Sequence, residues 1–294
     1  MTLTTLFLLT TLAAPGAQDR PARAAQTDQT VEVSRGARLT VENFAGEVIV
    51  KAWDRDSLRV QARHGSRRKV NVRSTPAGVV VSAGGTPSSV DYEISVPAWM
   101  PVTISGTYLF ISIEGAQSEV SAETTQGDVI VKGGTGNVTA KSIMGEVIVE
   151  GVRGRVTASS VNEGVRVTNT SGDISAESSN GDITLNQITS ENVEVNTING
   201  DIAFDGPPAA RGRYRFVTHN GNITIGIPES SNVTFTVRTY QGRFTPTLDL
   251  SGPPRSEVRK GRRTTYTLGT GSAEMELESF GGTIRIGPPR ATKK

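Results

Sequence analysis

One short phrase recurs along this chain and restricts its fold more than any other feature. It reads Ser, Thr or Asn, any residue, a small or amide residue, Gly, an acidic or amide residue, and then alternating β-branched residues. Half-copies lie between the clear ones, so the fine period is about nine residues and the full period about eighteen to twenty-one. Each unit is therefore one short strand followed by one turn. Clear copies begin at Thr124, Ser142, Asn169, Ser178, Thr197, Thr218 and Thr239, with an early outlier at Asn43 and a late one at Ser279.

Two all-β folds satisfy this spacing. An antiparallel β-meander is one, because Asn-Gly between alternating runs is a strong hairpin signal. The other is a β-solenoid similar to a parallel β-helix, in which glycine adopts a positive φ at a corner and each coil stacks on the one before. We favour the solenoid, since stacked coils bring equivalent positions into contact and select the same residue types repeatedly. Separate hairpins impose no such requirement.

The composition supports an all-β chain and excludes several classes of protein. No window places apolar residues at helical spacing, whereas Val, Ile and Thr alternate throughout. The 294 residues include no cysteine and carry a formal net charge of +2, so neither a disulfide scaffold nor a strongly charged tail defines the protein. With no cysteine and two histidines, we expect no transition-metal site and no cofactor.

The strand spacing divides the chain into five segments. Residues 1–24 are typical of an export signal, with cleavage at 17 or 24. Residues 28–115 hold an irregular β segment, residues 116–245 the regular solenoid repeats, and residues 246–287 the C-terminal coils and a cap. We expect residues 288–294 to form a disordered tail. This organisation predicts an exported protein of the periplasm, the cell surface or the medium, with no transmembrane segment after cleavage.

The strand that ends in Asp91-Tyr-Glu-Ile-Ser-Val-Pro97 is followed by a ladder of Gly-Asp-Ile and Gly-Asp-Val units. This arrangement resembles a bacterial β-strand-repeat family of unknown function whose members carry the label of adhesins. The resemblance covers about residues 30–287. It implies an exported β-solenoid that binds at the surface or envelope of the cell. The matching motif is structural, so the resemblance assigns no functional residue.

Acidic residues after the turn glycines are the first candidates for chemistry: Asp128, Asp173, Asp182 and Asp201, with Glu47 and Glu146. They could form a calcium ladder, supply the paired acids of a polysaccharide-cleaving β-helix, or be solvated turn residues. We favour the last role, because Asp after Gly stabilises an Asx-type turn. A repeated turn also gives every carboxylate nearly the same environment, whereas an acid and a base need different ones. We therefore expect no catalytic and no metal-binding residue.

A basic loop is the best candidate contact for an anionic partner: Arg255, Arg259, Lys260, Arg262 and Arg263. Clustered cations attract anionic polymers, although a solvated loop is an equally good interpretation. No aromatic residues interleave with these cations, so we expect no nucleic-acid partner.

Two further features depart from the repeat. The variable position of the phrase is occupied by Ile198, His219 and Tyr240 in three late copies, and a binding function is to be sought at such positions. Residues 108–111 concentrate apolar and aromatic side chains, either as an exposed patch or, as we expect, as a plug between the N-terminal strands and the solenoid.

The sequence thus predicts an exported, non-catalytic β-solenoid that binds an envelope polysaccharide or another envelope protein. One alternative is a β-helix enzyme that acts on an acidic polysaccharide. Another is a structural envelope element that associates with itself.

Overall fold

The computed structural model describes residues 27–65, 69–84, 89–253 and 261–289. The expected export signal, most of the expected tail, and Arg255, Arg259 and Lys260 of the basic loop lie outside these residues. Every helix or strand in the described part of the chain is a β-strand. The protein is therefore all-β, as the alternation of Val, Ile and Thr predicts.

Twenty-four strands follow one another along the chain. The first seven are β1 (Thr27–Glu32), β2 (Arg38–Trp53), β3 (Ser57–Arg63), β4 (Lys69–Thr75), β5 (Gly78–Gly84), β6 (Asp91–Pro97) and β7 (Val102–Glu114). The regular repeats supply β8 (Val120–Gln126), β9 (Val129–Lys132), β10 (Val138–Met144), β11 (Val147–Glu150), β12 (Val156–Ser160), β13 (Val165–Thr168), β14 (Ile174–Ser178), β15 (Ile183–Asn186), β16 (Asn192–Thr197), β17 (Ile202–Asp205), β18 (Arg213–Thr218) and β19 (Ile223–Gly226). The last five are β20 (Val233–Thr239), β21 (Phe244–Pro246), β22 (Thr264–Leu268), β23 (Ala273–Ser279) and β24 (Ile284–Gly287).

Two short strands make one coil. β8 and β9 form a coil, β10 and β11 form the next, and the pattern continues to β18 and β19. The first strands of successive coils pair in parallel as sheet 1, and the second strands pair in parallel as sheet 2. Equivalent residues of successive coils pair with one another; for example, Val138 lies between Val120 and Val156. The repeats thus form a β-solenoid, and the antiparallel meander is wrong for them because equivalent residues lie side by side.

The core is a set of aliphatic columns between the two sheets. In β8, Val120 and Ala122 are buried whereas Glu123 is exposed, and the same alternation recurs in each coil. The column that begins at Ala122 remains alanine for four coils and then enlarges to Val195 and Phe216. Burial of one Val or Ile side chain contributes about 1.5–3 kcal/mol, so in-register stacking stabilises every coil through its neighbours.

Both ends of the solenoid interleave strands that are distant in the chain. β2 bends through both sheets and lies between the β5–β6 pair and β7. At the other end, β23 and β24 lie between the β18–β19 coil and the β20–β21 coil. The last strands of the chain are therefore internal, and β20 and β21 form the outermost coil. Both ends of the solenoid are covered by antiparallel strands. At the N-terminal end, β4 pairs with β5, β3 pairs with β6, and β1 pairs with β3. At the C-terminal end, β22 pairs with β20.

Residues 108–111 cross a corner within β7. Leu109 and Ile111 are buried, whereas Tyr108 is exposed. β7 pairs with β2 on one side and with β8 and β9 on the other. The segment therefore lies at the expected junction, where Leu109 and Ile111 fill the core as part of a regular coil and Tyr108 is exposed.

Candidate functional site

Every coil turns twice, and the two corners have different structures. The first corner joins sheet 1 to sheet 2 within a coil, as at residues 125–128. The second corner joins sheet 2 to the next coil, as at residues 133–137. Because the coils stack in register, each corner position forms a column that runs along the solenoid.

A column of buried hydroxyl groups binds the first corners together. Ser160 Oγ donates to the carbonyl oxygen of Gly145, in the preceding coil, at 2.9 Å, and it accepts from the backbone N–H of Glu163 at 3.2 Å. Ser279 donates in the same way to Gly221 at 2.8 Å. Ser or Thr recurs here because a hydroxyl group donates and accepts at once. The column also includes Thr124, Ser142, Ser178, Thr197, Thr218 and Thr239.

The glycine of the phrase recurs because the first corners stack too closely for a side chain. A Cβ atom at Gly181 would collide with the carbonyl oxygen of Glu163, and one at Gly200 would collide with that of Gly181. The expected positive φ occurs at Gly127 but not at Gly145, Gly181 or Gly200. That expectation is therefore wrong for most first corners, where close packing of backbone on backbone excludes a side chain, and it is confirmed at second-corner glycines such as Gly151.

The residue after that glycine links one coil to the next. Asp182 Oδ1 accepts from the backbone N–H of Asp201 at 2.7 Å, and Asp201 Oδ1 accepts from that of Asn222 at 2.7 Å. Asp128 Oδ1 accepts from the N–H of Glu146 at 2.8 Å. These carboxylates occupy equivalent positions of different coils, with Asp128 three coils before Asp182. Each accepts a hydrogen bond between coils that the interpretation as Asx-turn residues did not include.

Asp173 lies at the second corner, apart from the other acidic candidates. It accepts from Asn192 Nδ2 at 2.9 Å and pairs with Arg155 at 3.3 Å. The hydrogen bond from Asn192, followed by the bond from Arg155, holds the pKa of Asp173 below its ordinary value. Glu47 lies at the first corner of β2, toward the N-terminal end of the solenoid. The six acidic candidates are therefore not gathered at one site.

A column of asparagine side chains lies beside the glycine column. Asn180 Nδ2 donates to Asn162 Oδ1 at 3.1 Å, Asn199 Nδ2 donates to Asn180 Oδ1 at 3.0 Å, and Asn220 Nδ2 donates to Asn199 Oδ1 at 2.8 Å. All four residues are exposed. Each amide is thus oriented by the amide of the preceding coil.

The adjoining positions carry exposed apolar side chains. Six large hydrophobic side chains are exposed in the described chain, and all six lie at the first corner: Phe44, Tyr108, Ile143, Met144, Val161 and Ile198. Ile198 is the most exposed, at 53%. Phe44 and Tyr108 contact each other edge to face, with ring centroids 5.5 Å apart. Exposed apolar surface that is concentrated in one place marks an interaction site.

Aromatic rings continue this surface toward the C-terminal end. The rings of His219 and Phe280 stack with centroids 4.6 Å apart, and the ring of Tyr240 follows Phe280 at 5.1 Å. The guanidinium of Arg238 lies 4.8 Å from the centroid of Tyr240. The structure thus brings Ile198, His219 and Tyr240, the three variable positions singled out from the sequence, onto one surface.

We call the apolar and asparagine columns together the corner ridge. It comprises, in coil order, residues 44–45, 107–108, 125–126, 143–144, 161–162, 179–180, 198–199, 219–220, 280–281 and 240–241. Charged residues make up 20% of the chain, yet none of these positions holds Asp, Glu, Lys or Arg. The ridge is therefore a continuous uncharged surface.

A second surface, on the outer face of sheet 1, is charged. A groove of about 760 Å³ crosses it between Arg155 and Arg263. Arg215 pairs with Glu276 at 3.5 Å, and Arg263 pairs with Glu276 at 2.8 Å. Of the residues predicted to contact an anionic partner, Arg263 is thus engaged by a carboxylate and Arg262 is exposed. The other three lie outside the described residues.

The two histidines are far apart. His64 forms a hydrogen bond to Thr27 Oγ1 at 2.8 Å near the N-terminal end, whereas His219 lies on the ridge. No three His, Asp or Glu side chains within the described ranges lie close enough together to hold a metal ion. That part of the chain also contains no helix that could span a membrane.

Fold and surface together define a β-solenoid with one uncharged lateral ridge. A family model described as Toastrack DUF4097 matches residues 37–287, and the chain belongs to this family. A structure titled "putative adhesin" from Bacteroides fragilis is 10% identical, with a TM-score of 0.42, and the match covers 90% of this chain and 98% of that one. A "putative cell adhesion protein" from Clostridium sporogenes is 11% identical, with a TM-score of 0.24, and the match covers 89% and 99%. No curated protein matches the sequence.

Sequence reasoning found only part of the ridge. It did not single out Phe44 or Met144, and it did not identify the asparagine column as part of a binding surface. A signal for that column was present, because Asn precedes the turn glycine at 180, 199 and 220. Alignment of the copies by strand register, instead of by glycine, would also have added Asn162.

Proposed function

We propose that this protein is a non-catalytic binding protein of the cell envelope, and that the corner ridge is its binding surface. The observation that carries this proposal is that all six large hydrophobic side chains exposed in the described chain share the first corner. A solenoid requires inward aliphatic residues, but nothing in its stacking requires apolar residues that point outward. Their alignment along one edge therefore favours contact with an extended partner.

The bonding of the acidic residues favours binding over catalysis. Asp128, Asp182 and Asp201 lie in three different coils, and each accepts a hydrogen bond from a backbone N–H of the next coil. A glycoside-cleaving site requires two carboxylates with different environments on either side of a bond. Carboxylates in equivalent positions along a column suit a structural role better.

The envelope location follows from the sequence, which begins with a segment typical of an export signal. It also agrees with the adhesin titles of the two similar structures, although these describe those proteins. We place the protein at the periplasm, the cell surface or the medium, where an exposed lateral ridge meets envelope polymers.

The experiment compares two matched pairs of substitutions. Ile143→Ser with Ile198→Ser alters the ridge, and Ile130→Ser with Ile148→Ser alters outward isoleucines of sheet 2. Binding of the labelled protein to intact cells and to purified envelope of its host is measured by sedimentation. We expect the ridge pair to weaken binding about tenfold or more, since each buried isoleucine contributes about 1 kcal/mol or more. The sheet 2 pair should bind as the wild type does.

Two outcomes would contradict the proposal. One is a wild-type protein that binds neither cells nor envelope. The other is equal loss of binding in both pairs, which would indicate general destabilisation. Thermal melts of both pairs establish whether each variant is folded under the conditions of the binding assay.

A further inference from the structure

We propose that the corner ridge binds an uncharged polysaccharide chain that lies parallel to the solenoid axis. This inference rests on the proposed function and names its ligand class. The segment concerned runs from Asn162 to Asn220, where Val161 and Ile198 lie beside the asparagine column with Ser179 between them.

The asparagine amides retain hydrogen-bonding capacity toward a ligand. In the column, Asn180 uses one N–H toward Asn162 and accepts one bond from Asn199. A side-chain amide has two N–H donors and an oxygen with two lone pairs. Each inner amide therefore offers one further donor and one further acceptor to solvent. Hydroxyl groups of a sugar both donate and accept, so they match this pattern.

The amides are also fixed in advance and evenly spaced. Parallel strands lie about 4.8 Å apart, so the column presents one amide per coil at that interval. Each amide is held by its neighbour in the same direction, which reduces the ordering cost of binding. A regular row of identical groups suits a polymer of like units better than the irregular surface of a folded protein.

Apolar contact is available beside the amides. Val161 is 41% exposed and Ile198 is 53% exposed, and they lie one position before Asn162 and Asn199. Pyranose rings present C–H faces as well as hydroxyl edges. A ring with its face on the apolar column can direct hydroxyls toward the amide column.

Electrostatics distinguish neutral from anionic polymers. No ridge position carries a formal charge, and the exposed carboxylates of Glu163, Asp182 and Asp201 lie along its sheet 2 side. An anionic chain on the ridge would experience repulsion from this acidic border. The ridge therefore favours uncharged glycans over acidic polysaccharides, and any anionic partner would bind elsewhere.

Isothermal titration calorimetry tests the inference with named probes. Cellohexaose, chitin hexasaccharide, galactomannan and dextran are the neutral probes, and polygalacturonate and hyaluronate are the anionic ones. We expect binding to at least one neutral probe and no comparable binding to the anionic probes. Binding between 0.05 and 0.5 M salt should change less than about twofold, because a neutral ligand is not screened.

Variants assign the binding to the ridge. Asn180→Ala with Asn199→Ala should weaken binding of the neutral probe about tenfold or more. Asn137→Ala, which alters an exposed asparagine at a second corner, should leave it unchanged. Asn180→Asp with Asn199→Asp keeps the size of the side chains and adds two charges, and it should also weaken binding. Circular dichroism melts show that each variant is folded.

The outcomes separate this inference from the proposed function. If the ridge isoleucine pair abolishes envelope binding but every neutral probe fails, the glycan inference is overturned and the proposed function stands. Binding to anionic probes alone also overturns it. A dimer in sedimentation equilibrium that Ile198→Ser dissociates would make the ridge an interface between two copies and would overturn the glycan inference too. If no envelope fraction binds at all, both proposals fail.

Discussion

Two glycine positions, one at each corner of a coil, are occupied by glycine for different physical reasons. At the first corner, a Cβ atom at Gly181 would overlap the backbone of the preceding coil. At the second corner, Gly151 has a φ of 70°, and its nearest neighbours are 3.8 Å or more from the position of a Cβ atom. Gly181 is thus required for its small size and Gly151 for its backbone conformation, although a Cβ atom at Gly154, later in the second corner, would also overlap the preceding coil.

Side-chain chemistry also differs between the corners. The first corner carries the exposed apolar side chains and the asparagine column on a ridge without formal charge, with carboxylates beside it. At the second corner, Asn169 and Gln187 replace glycine with φ of 50° and 54°. Close stacking at the first corner fixes side chains in columns, and a column of fixed side chains can bind a repetitive ligand. This second-corner position tolerates variation because a Cβ atom at Gly151 lies 3.8 Å or more from its neighbours.

The largest expected effect comes from alanine at the two kinds of glycine. Gly181→Ala should cost about 3 kcal/mol or more of unfolding free energy, since backbone must move to admit the methyl group. Gly151→Ala should cost about 1–2 kcal/mol, the penalty of a left-handed conformation. Urea unfolding measures both. Equal losses of unfolding free energy in the two variants would refute the distinction between the Gly181 and Gly151 positions.

A smaller difference is expected from the buried hydroxyl groups. Ser160→Ala removes one bond to another coil and one within the corner, so it should cost about 2 kcal/mol. Thr170→Val, at the second corner, removes one local bond from Thr170 Oγ1 to the carbonyl oxygen of Thr168, and it should cost about 1 kcal/mol. Denaturation midpoints at constant m-value provide the comparison. A larger loss for the Thr170 variant would show that bonds between coils are not the stronger ones.

Acidic residues should show a still smaller difference that depends on pH. Asp201→Ala removes an acceptor for a backbone N–H and should cost about 1 kcal/mol, whereas Asp201→Asn keeps an acceptor and should cost less. Asp173→Ala should cost less than Asp201→Ala, because Asp173 bonds only exposed side chains.

The sign of the pH dependence follows from the lowered pKa of Asp173. A carboxyl group with a pKa below 3.8 in the folded state stabilises the protein above 3.8 and loses that contribution as the pH falls through the folded value. The difference in stability between wild type and Asp173→Ala should therefore be present at pH 7 and shrink in acid. A difference that grows as the pH falls would contradict the assignment.

The smallest expected effect is a gain. Gln187→Gly relieves a left-handed conformation at a residue that seldom adopts it, and the gain should be about 0.5 kcal/mol after the added freedom of the unfolded chain. Asn169→Gly should change stability by less, since asparagine tolerates this conformation. Thermal melts of the two variants measure both changes in stability. A loss of stability in Gln187→Gly would show that the Gln187 side chain stabilises the protein by more than its left-handed backbone destabilises it.

The sequence predicted the solenoid because the demands of stacking are local and repeated. Alternating Val and Ile, the hydroxyl of Ser or Thr, and the turn glycine each recur once per coil, and their spacing is visible without coordinates. It predicted the wrong reason for most first-corner glycines, since a positive φ and a lack of space select the same residue. Only the three-dimensional structure distinguishes these two reasons.

Similar phrases also conceal different corners. Asn169-Thr-Ser-Gly-Asp-Ile174 and Ser178-Ser-Asn-Gly-Asp-Ile183 look like two copies of one motif. Yet Ile174 begins a strand of sheet 1 and Ile183 begins a strand of sheet 2. The first phrase therefore belongs to a second corner, which is why Asp173 lies apart from Asp182. Strand register decides this, and register depends on pairings with other coils.

By itself, the sequence determined an all-β chain of stacked coils, its inward aliphatic residues and the approximate extent of the repeat. Tertiary structure alone decided the order of the coils at both ends, where β2 and the β23–β24 coil are inserted between strands distant in the chain. It also decided that Phe44, Ile143 and Phe280 share one ridge. The physical reason is the separation along the chain of the residues that interact. Alternation and turn chemistry act between neighbouring residues, whereas the ridge is created by in-register stacking of coil upon coil, which brings residues as far apart as Phe44 and Phe280 onto one surface.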